Sequence, residues 1–340
     1  MIKIVVDCFG GDNSPMVNVE GAVKALKDNK DITLILTGDE EKINVELAKY
    51  QYDKERISVV HAPDVISCND KPTEAIRQKK ESSLAKAYEI LRTDENARAL
   101  VTIGSTGAVL AGAVLRVGRI SGVKRPAFCP ILPTMNHSIV GICDSGANVD
   151  CEAYWLQQFA IMGSLYMKLA YNVESPRVAL LNIGTEEEKG DQMTKEAYQL
   201  LKQTPQVNFV GNMESRDLLT GTYDLVVCDG FSGNVLIKTT EGTSLELLKL
   251  LKKTFTSSLK NKIGALFLKK SIYGIKDFMD YNNYGGGVML GVKKTIVKGH
   301  GSSKAIAIYN CINQAYTMEK NHLCEAIGEE IAKIEENEAN

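Results

Sequence analysis

The sequence predicts an α/β fold, a three-layer arrangement in which helices cover both faces of a mostly parallel sheet. Short apolar segments rich in Val, Ile and Leu alternate with segments of helical periodicity, which is typical of repeated β–α units. The apolar segments lack alternating polar residues, as expected for strands that are covered on both faces. A length of 340 residues suffices for one large α/β domain or for two lobes of roughly 150 residues each.

The individual elements follow from local pattern. Apolar, β-branched runs bounded by turn residues predict strands at 2–6, 32–36, 57–60, 99–103, 127–132, 138–143, 177–183 and 223–228. Apolar residues spaced by three and four predict helices at 16–28, 40–50, 78–92, 106–118, 152–170, 192–203 and 234–256. The loop before 138–143 is short, so we expect this strand to run antiparallel to its neighbour. Ile327, Ile331 and Ile334 predict a last helix docked on the core.

Composition excludes several classes of protein. With 44% apolar and 24% charged residues the chain has the balance of a folded globular protein. A net charge of −2 provides no basic field, so we expect no nucleic-acid partner. No run of about 20 apolar residues occurs, so we expect no segment to cross a membrane. The eight cysteines form no C-x-x-C pair and predict reduced, packed thiols in the cytoplasm.

Polar, glycine-rich loops follow five of the predicted strands, at the end where parallel sheets bind ligands. These loops are 7–15, 104–107, 144–150, 184–190 and 229–234. Any one of them could be an ordinary turn with a helix cap. Five such loops on one edge instead predict a shared active-site crevice.

Two segments have the chemistry of an anion cradle. Gly104-Ser-Thr-Gly107 and Lys298-Gly-His-Gly-Ser-Ser303 each precede a predicted helix and offer hydroxyls and backbone N–H groups. Their glycines allow the backbone to approach an oxyanion closely. The chain has neither a Walker A loop nor a G-x-G-x-x-G motif, which favours inorganic phosphate or a small phosphorylated substrate over ATP or NAD. Scattered histidines also argue against a metal site.

A basic amphipathic segment covers residues 247–276. It contains eight lysines and no acidic residue, and apolar side chains recur at helical spacing from Leu248 to Phe267. A surface helix packed on the core would explain this pattern. An anionic membrane surface, an acidic protein partner or a dimer interface would explain it equally.

Nine segments, in this order, resemble the PlsX family of phosphate acyltransferases: VDCFGGDNSP, GSTGAVLAGA, RPA, DSGANVDC, LLNIGTEEEKG, GNMESRDL, VVCDGFSGNVLIKTTEG, YGGGVMLGV and GHGSS. The resemblance runs from residue 2 to about residue 320, and its motifs are long and specific. Asn13 stands where the family usually has His, and Ser215 where it usually has Gly. Cys8 and Phe9 replace the usual Ala and Met.

The resemblance implies an enzyme that converts acyl-[acyl carrier protein] and inorganic phosphate into acyl phosphate and free carrier protein, for phospholipid synthesis. It implies a fold similar to phosphotransacetylases and to isocitrate and isopropylmalate dehydrogenases, with a cleft between two interlocked lobes. We therefore expect one catalytic unit over 1–340. Its sub-lobes would be about 1–150 plus 304–340, and 151–303, with 245–278 protruding.

The implied chemistry sets three requirements. Phosphate must be held against the thioester carbonyl, the oxyanion needs donors, and the acyl chain needs an apolar groove. A strong base is not obligatory because phosphate is partly dianionic near neutral pH, and a thiolate leaves readily without a strong acid. Cys151 and Cys228 are potential nucleophiles, but no histidine lies near them in the sequence.

Roles for individual residues follow as hypotheses. His300 would donate to the oxyanion or protonate the departing thiolate, unless it is an ordinary helix-capping or hinge histidine. Arg125 and Lys238 would be fixed cations at the cleft. Asp229 and Asn234 would orient these cations or bind the substrate amide. Asp7 and Asp144, at strand ends, are as suited to fixing loops as to reacting. The predicted catalytic residues are His300, Ser302, Lys238 and Asp229. The predicted substrate-binding residues are Gly104, Ser105, Thr106, Gly107, Arg125, Asn182, Thr185, Gly230, Ser232, Asn234, Gly301 and Ser303.

The resemblance also implies partners. We expect acyl carrier protein and inorganic phosphate as substrates, a homodimer, no cofactor and no metal. Peripheral contact with an anionic membrane would bring the enzyme to a downstream glycerol-phosphate acyltransferase. Residues predicted to touch membrane or carrier protein are Lys260, Lys262, Ile263, Leu266, Phe267, Lys269 and Lys270.

Two other functions remain open from the residues alone. One is a metal-dependent NAD(P) decarboxylating dehydrogenase of the same fold, which the aspartate-rich loops would suit. The other is a non-catalytic scaffold on the membrane surface that recruits carrier protein through its lysine segment.

Overall fold

In this computed structural model the described backbone comprises residues 1–278 and 281–339. Side chains are described over the same ranges except at 269, 271–273, 275–278, 281 and 335–339. The strands are β1 (Ile2–Asp7), β2 (Ile32–Gly38), β3 (Ile57–His61), β4 (Ala97–Thr102), β5 (Ala127–Cys129), β6 (Ile131–Pro133), β7 (Ile139–Cys143), β8 (Arg177–Asn182), β9 (Asn208–Glu214), β10 (Leu225–Val227), β11 (Gly287–Leu290) and β12 (Thr295–Lys298). The helices are α1 (Met16–Asp28), α2 (Glu40–Leu47), α3 (Pro72–Gln78), α4 (Ser83–Thr93), α5 (Thr106–Gly112), α6 (Ala153–Tyr171), α7 (Gln192–Lys202), α8 (Gly230–Phe255), α9 (Leu259–Phe278), α10 (Ala305–Lys320) and α11 (Leu323–Ala339).

The described strands form two sheets. The first has the order β3-β2-β1-β4-β12-β11-β5, and the second has the order β6-β7-β10-β8-β9. In the first sheet β3, β2, β1, β4 and β12 are parallel, whereas β11 is antiparallel to both of its neighbours. In the second sheet only β6 is antiparallel, to β7. The predicted α/β class and the predicted antiparallel pairing of segment 138–143 are therefore confirmed.

Helices pack on both faces of each sheet because successive side chains of a strand point to opposite faces. In β1, Val5 belongs to a core shared with α3, α4 and α5, while its neighbours Ile4 and Val6 belong to a core shared with α1 and α10. The latter core continues through α6 to β10 of the second sheet, where Val227 is fully buried. The two sheets are thus joined by one continuous apolar core.

The structure differs from several predicted elements. The predicted strand 127–132 divides at Pro130 into β5 and β6, which belong to different sheets. Proline has no N–H to donate to a ladder, so the chain crosses between sheets there. The predicted helix 78–92 corresponds to α4, which begins five residues later, and α3 before it was not predicted. Strands β9, β11 and β12 were not predicted, because their apolar runs are short, and those of β9 and β11 include a glycine. As a result β6 and β7 lie in the second sheet, and β11 and β12 lie in the first.

Helices α8 and α9 form a helical hairpin that turns at 256–258 and whose two helices contact each other. Its apolar side chains include many that are exposed: Leu245, Leu247, Leu250, Leu259, Ile263, Leu266, Phe267 and Leu268. Lys260, Lys262 and Lys270 are also exposed, whereas the side chain of Lys269 lies outside the described residues. Within the described part of the chain, no helix combines the length and apolarity needed to span a bilayer.

Candidate active site

A cavity of about 290 Å³ lies between the two sheets. Thr106, Lys298, Gly299 and His300 line it from the carboxyl edge of the first sheet. Ser145 and Gly146 follow β7, and Asn234, Ile237, Lys238 and Glu241 lie on α8. Residues 127–133, here called the crossing segment, pass from the first sheet to the second and supply apolar lining through Phe128, Pro130, Ile131 and Leu132. Residues 284–287, which lead into β11, also line the cavity. The cavity therefore combines a polar, cationic part with an apolar part.

The two predicted anion cradles lie side by side. Strands β4 and β12 are parallel neighbours in which Thr102 faces Lys298, so both loops leave the same sheet edge. The Gly299 N–H donates to the Thr102 carbonyl over 2.9 Å. The two loops thus belong to one wall of the cleft and do not face each other across it. The opposite wall is instead formed by the loop after β7 and by the first turns of α8.

Asp7 organises this polar wall from beneath. Its carboxylate is 1% exposed and accepts hydrogen bonds from Thr102 Oγ1 at 2.7 Å and from the Phe9 N–H at 3.2 Å. Thr102 Oγ1 accepts in turn from the Gly104 N–H at 3.0 Å. Burial raises the pKa of Asp7 from 3.8 to about 6, although these hydrogen bonds act in the opposite direction. Asp7 therefore fixes the loops and does not line the cavity.

The loop after β1 also supports the histidine loop. The Asp12 N–H donates to the Gly301 carbonyl over 2.9 Å. A Cβ on Gly11 would lie 3.0 Å from that carbonyl oxygen, and a Cβ on Gly10 3.1 Å from the Gly104 Cα. Glycine is required here because two loops meet backbone to backbone.

His300 has a defined tautomer. Its Nδ1 accepts a hydrogen bond from the Ser302 N–H at 3.3 Å, and Ser302 Oγ lies 2.8 Å from the same nitrogen. A backbone N–H can only donate, so Nδ1 is the acceptor and Nε2 carries the proton of the neutral ring. Partial burial and the charge of Lys298 lower the pKa of His300. At neutral pH the side chain is thus suited to donate a hydrogen bond from Nε2.

Asp144 organises the opposite wall. It is fully buried and accepts from the N–H groups of Phe128 at 2.8 Å and Asn148 at 2.7 Å, among others. These bonds hold the crossing segment against the loop that presents Ser145 and Gly146. Burial raises the pKa of Asp144. Asp144 thus fixes loops, as Asp7 does.

Several predicted site residues lie away from the cavity lining. Asp229 caps α8 by accepting from the Ser232 N–H at 2.8 Å. The Arg125 guanidinium stacks 4.7 Å from the Trp155 ring centre. Asn182 donates to the Lys189 carbonyl at 3.0 Å, which closes the loop that contains exposed Thr185. The sequence patterns that suggested these residues mark strand ends and helix caps, which occur in binding sites and in ordinary loops alike.

The remaining predicted residues support the lining. Gly104, Ser105 and Gly107 belong to the loop and first turn around Thr106, and Gly301, Ser302 and Ser303 continue the loop of His300. The Gly230 N–H donates to the Asn148 carbonyl over 2.7 Å and so ties α8 to the β7 loop.

Glu241, the crossing segment and residues 284–287 line the cavity but were not predicted from the sequence. Glu241 lies one turn beyond Lys238 on α8, and helical spacing alone could have indicated it. The three glycines of the YGGG motif were a further signal.

The two candidate thiols are unsuited to nucleophilic attack. Cys228 Sγ donates to the Asp144 carbonyl at 3.4 Å, and Cys151 Sγ to the Asn148 carbonyl at 3.6 Å. Burial raises the pKa of Cys151 to about 12 and that of Cys228 well above its ordinary value. Neither side chain lines the cavity, and a buried thiol in such surroundings is inert.

The fold is that of phosphotransacetylases. A phosphotransacetylase from Streptococcus pyogenes superposes with a TM-score of 0.62 at 19% identity, covering 94% of each chain. The EutD phosphotransacetylase from Staphylococcus aureus gives a TM-score of 0.57 at 15% identity, covering 93% of this chain and 94% of its own. These likenesses define the class: a two-sheet α/β protein with a cleft between the sheets.

Sequence comparisons identify the family. The profile of the family described as "Fatty acid synthesis protein" matches residues 2–326. A phosphate acyltransferase of Clostridium acetobutylicum is 46% identical, over 97% of this chain and 99% of its own length. One of Clostridioides difficile is 42% identical, over 100% and 99%. The chain belongs to the PlsX family of phosphate acyltransferases, and it is an enzyme that transfers an acyl group to phosphate. This favours the first of the three functions that the residues left open.

Proposed function

We propose that the enzyme takes its acyl group from the thioester of acyl carrier protein and transfers it to inorganic phosphate, for phospholipid synthesis. One observation carries this proposal. The cavity joins a cationic, hydroxyl-bearing part around His300 to an apolar part around Ile131 and Ile237. A phosphate and a thioester carbonyl fit the first part, and the start of an acyl chain fits the second.

The residues take roles that follow from their geometry. Thr106 and the backbone of the loop 299–303 hold the phosphate. His300 donates from Nε2 to the oxyanion that forms on the thioester carbonyl. Asn234 and Lys238 lie on α8, on the wall of the cavity opposite His300. No described residue near the cavity needs to act as a strong base, since phosphate supplies its own nucleophilic oxygen. Removing one oxyanion donor commonly costs about 10²–10³ in kcat.

The direct test is phosphate-dependent thiol release. Purified enzyme is incubated with acyl carrier protein loaded with a fatty acyl group, in the presence of chelator, and free thiol is followed with a chromogenic reagent. We expect release only with phosphate, and acyl phosphate that hydroxylamine traps. The kcat/KM for acyl-coenzyme A should be at least tenfold lower than that for acyl-[acyl carrier protein]. Thiol release that ignores phosphate, or an equal preference for coenzyme A, would refute the proposal.

His300→Ala tests the oxyanion role. We expect kcat to fall by at least tenfold, and His300→Gln to recover part of the loss because its amide can donate. His322→Ala is the matched control, since His322 is an exposed histidine away from the cavity. A His300→Ala enzyme with unchanged kcat would exclude the role.

Peripheral membrane association belongs to the same proposal. The α8–α9 hairpin exposes leucines and phenylalanine beside lysines, which suits an anionic bilayer surface. Replacing Leu266 and Phe267 by Glu should abolish sedimentation with phosphatidylglycerol vesicles and leave activity on carrier protein intact. Val45→Glu, an exposed apolar position on α2, is the control. Binding that survives the double substitution would reject the hairpin as the membrane contact.

Acyl phosphate is a reactive mixed anhydride, so a membrane location would bring it to a glycerol-phosphate acyltransferase before it hydrolyses. We also infer a homodimer, which analytical ultracentrifugation would test. A purely monomeric sedimentation profile at micromolar concentration would contradict it.

A further inference from the structure

Lys298 lies at the polar end of the cavity on a rigid support. It is the last residue of β12, and its backbone is paired on both sides, with Thr102 of β4 and Gly287 of β11. The preceding Val297 is fully buried in the core, so the strand cannot move independently. The Lys298 side chain is partly buried and lines the cavity beside His300. A charge held this way has a fixed position relative to the substrate.

The surroundings of Lys298 leave its charge uncompensated. The titratable groups that act on it are Lys238 and Glu241 of α8, Cys311 of α10, Cys68 of the loop before α3, and His300 of its own loop. Glu241 is the one carboxylate in this set. Among the described residues, no carboxylate oxygen lies within the 4.0 Å of an ion pair from Lys298 Nζ. The cavity thus holds two lysines and one glutamate around a neutral histidine.

A second group in the same loop is also unsatisfied. Ser303 is 1% exposed, and its Oγ has no hydrogen-bond partner among the described residues. A Cβ placed on the cavity residue Gly299 would lie 3.2 Å from that oxygen, so the hydroxyl is next to the cavity wall. Leaving a buried hydroxyl and a desolvated ammonium without partners costs free energy. An anion bound in the cavity would supply the missing partner.

We propose that Lys298 is a phosphate-binding residue, which with Lys238 on the facing wall supplies the two positive charges that match a phosphate dianion. Both ammonium groups donate to phosphate oxygens that do not attack, while a third oxygen faces the thioester carbonyl. Glu241, one turn from Lys238 on α8, is the carboxylate that lines the cavity beside it. The inference rests on the proposed place of phosphate in this cavity, and it adds two residues to the site, Lys298 and Glu241.

The first experiment separates the two substrates kinetically. Lys298→Met removes the charge and preserves the length of the side chain. We expect the KM for phosphate to rise at least tenfold while the KM for the acyl thioester stays within twofold. Lys293→Met is the matched control, because Lys293 is exposed in the turn between β11 and β12 and should leave both constants unchanged. Equal changes in the two KM values, or none, would overturn the assignment.

The second experiment needs no turnover. Sodium phosphate should raise the melting temperature of the wild type and of Lys298→Arg, but not of Lys298→Met, when sodium chloride keeps the ionic strength constant. A shift that persists in the Met variant would overturn the assignment. If the wild type shows the shift but no phosphate-dependent thiol release, the proposed function fails while the phosphate site stands. If Lys298→Met does not fold, Lys298→Gln replaces it in both experiments.

A pH profile gives a readout that a merely structural lysine would not change. Burial and the charge of Lys238 lower the pKa of Lys298, so its ammonium loses its proton at a lower pH than an exposed lysine would. The kcat/KM for phosphate should therefore fall on the alkaline side as that proton is lost. In Lys298→Arg the guanidinium keeps its charge, and the fall should move to higher pH. An alkaline limb that is unchanged in Lys298→Arg would assign it to another group and overturn the role of Lys298.

Discussion

Replacing Asp7 by Asn should remove a stability cost that grows between pH 5 and pH 8. The Asp7 carboxylate is almost completely buried at the end of β1, where it accepts hydrogen bonds from Thr102 and Phe9. Burial raises its pKa from 3.8 to about 6 in the folded protein. The folded state therefore holds a proton over a pH range in which the unfolded state has released it. Stability must then fall as pH rises through this range.

The magnitude follows from the two pKa values. Well below pH 3.8 both states are protonated and there is no cost. With values of 3.8 unfolded and about 6 folded, the linkage relation gives a cost of about 1.6 kcal/mol at pH 5 and about 3 kcal/mol at pH 8. Ionised Asp7 should thus destabilise the wild type by about 1.4 kcal/mol more at pH 8 than at pH 5. The asparagine side chain of the variant has no proton to lose, so its own contribution is constant.

The measurement is urea unfolding of wild type and Asp7→Asn at both pH values. All other titrating groups are common to the two proteins and cancel in the difference between them. The altered hydrogen bond to Thr102 shifts that difference by a constant amount at every pH, so only its change with pH reports on Asp7. We expect the stability of the wild type relative to the variant to decrease by about 1.4 kcal/mol from pH 5 to pH 8. A constant or increasing difference would refute a raised pKa for Asp7.

Two further predictions concern the opposite wall. Gly233→Ala should destabilise the protein by about 1–3 kcal/mol and reduce activity, because its Cβ would lie 2.0 Å from the Asp144 carbonyl oxygen. Gly242→Ala on the same helix has open space and should be neutral or stabilising in the same urea assay; equal losses in both variants would contradict this reasoning. Cys151→Ala and Cys228→Ala should each keep kcat within twofold, and a fall of tenfold or more in a folded variant would reinstate an acyl-enzyme.

The sequence predicted the parallel strands β1, β2, β4 and β8 well because their Val/Ile/Leu runs are long and both faces are covered. It failed at β9, β11 and β12, where the apolar runs are short, and at Pro130, where one apolar run contributes to two sheets. Of the five polar loops, three reach the cavity, through Thr106, Ser145 and Asn234. The others support a neighbouring loop or close on themselves. Local pattern identifies a strand end, but only tertiary pairing decides which strand ends meet.

Each wall of the cavity is held in place by a buried aspartate. Asp7 ends β1 and Asp144 follows β7, and both are buried. Each accepts hydrogen bonds from residues that support the loops around the cavity. Burial raises both pKa values, so each carboxylate makes the folded state less stable at neutral pH than a neutral group of the same shape would. In return for this loss of stability, the hydrogen bonds of the two carboxylates make the loops rigid. Loops that would otherwise sample many conformations are fixed before substrate arrives, which is the condition for electrostatic stabilisation of an oxyanion. Stability and activity should therefore change in opposite directions when Asp7 is replaced by asparagine at pH 8.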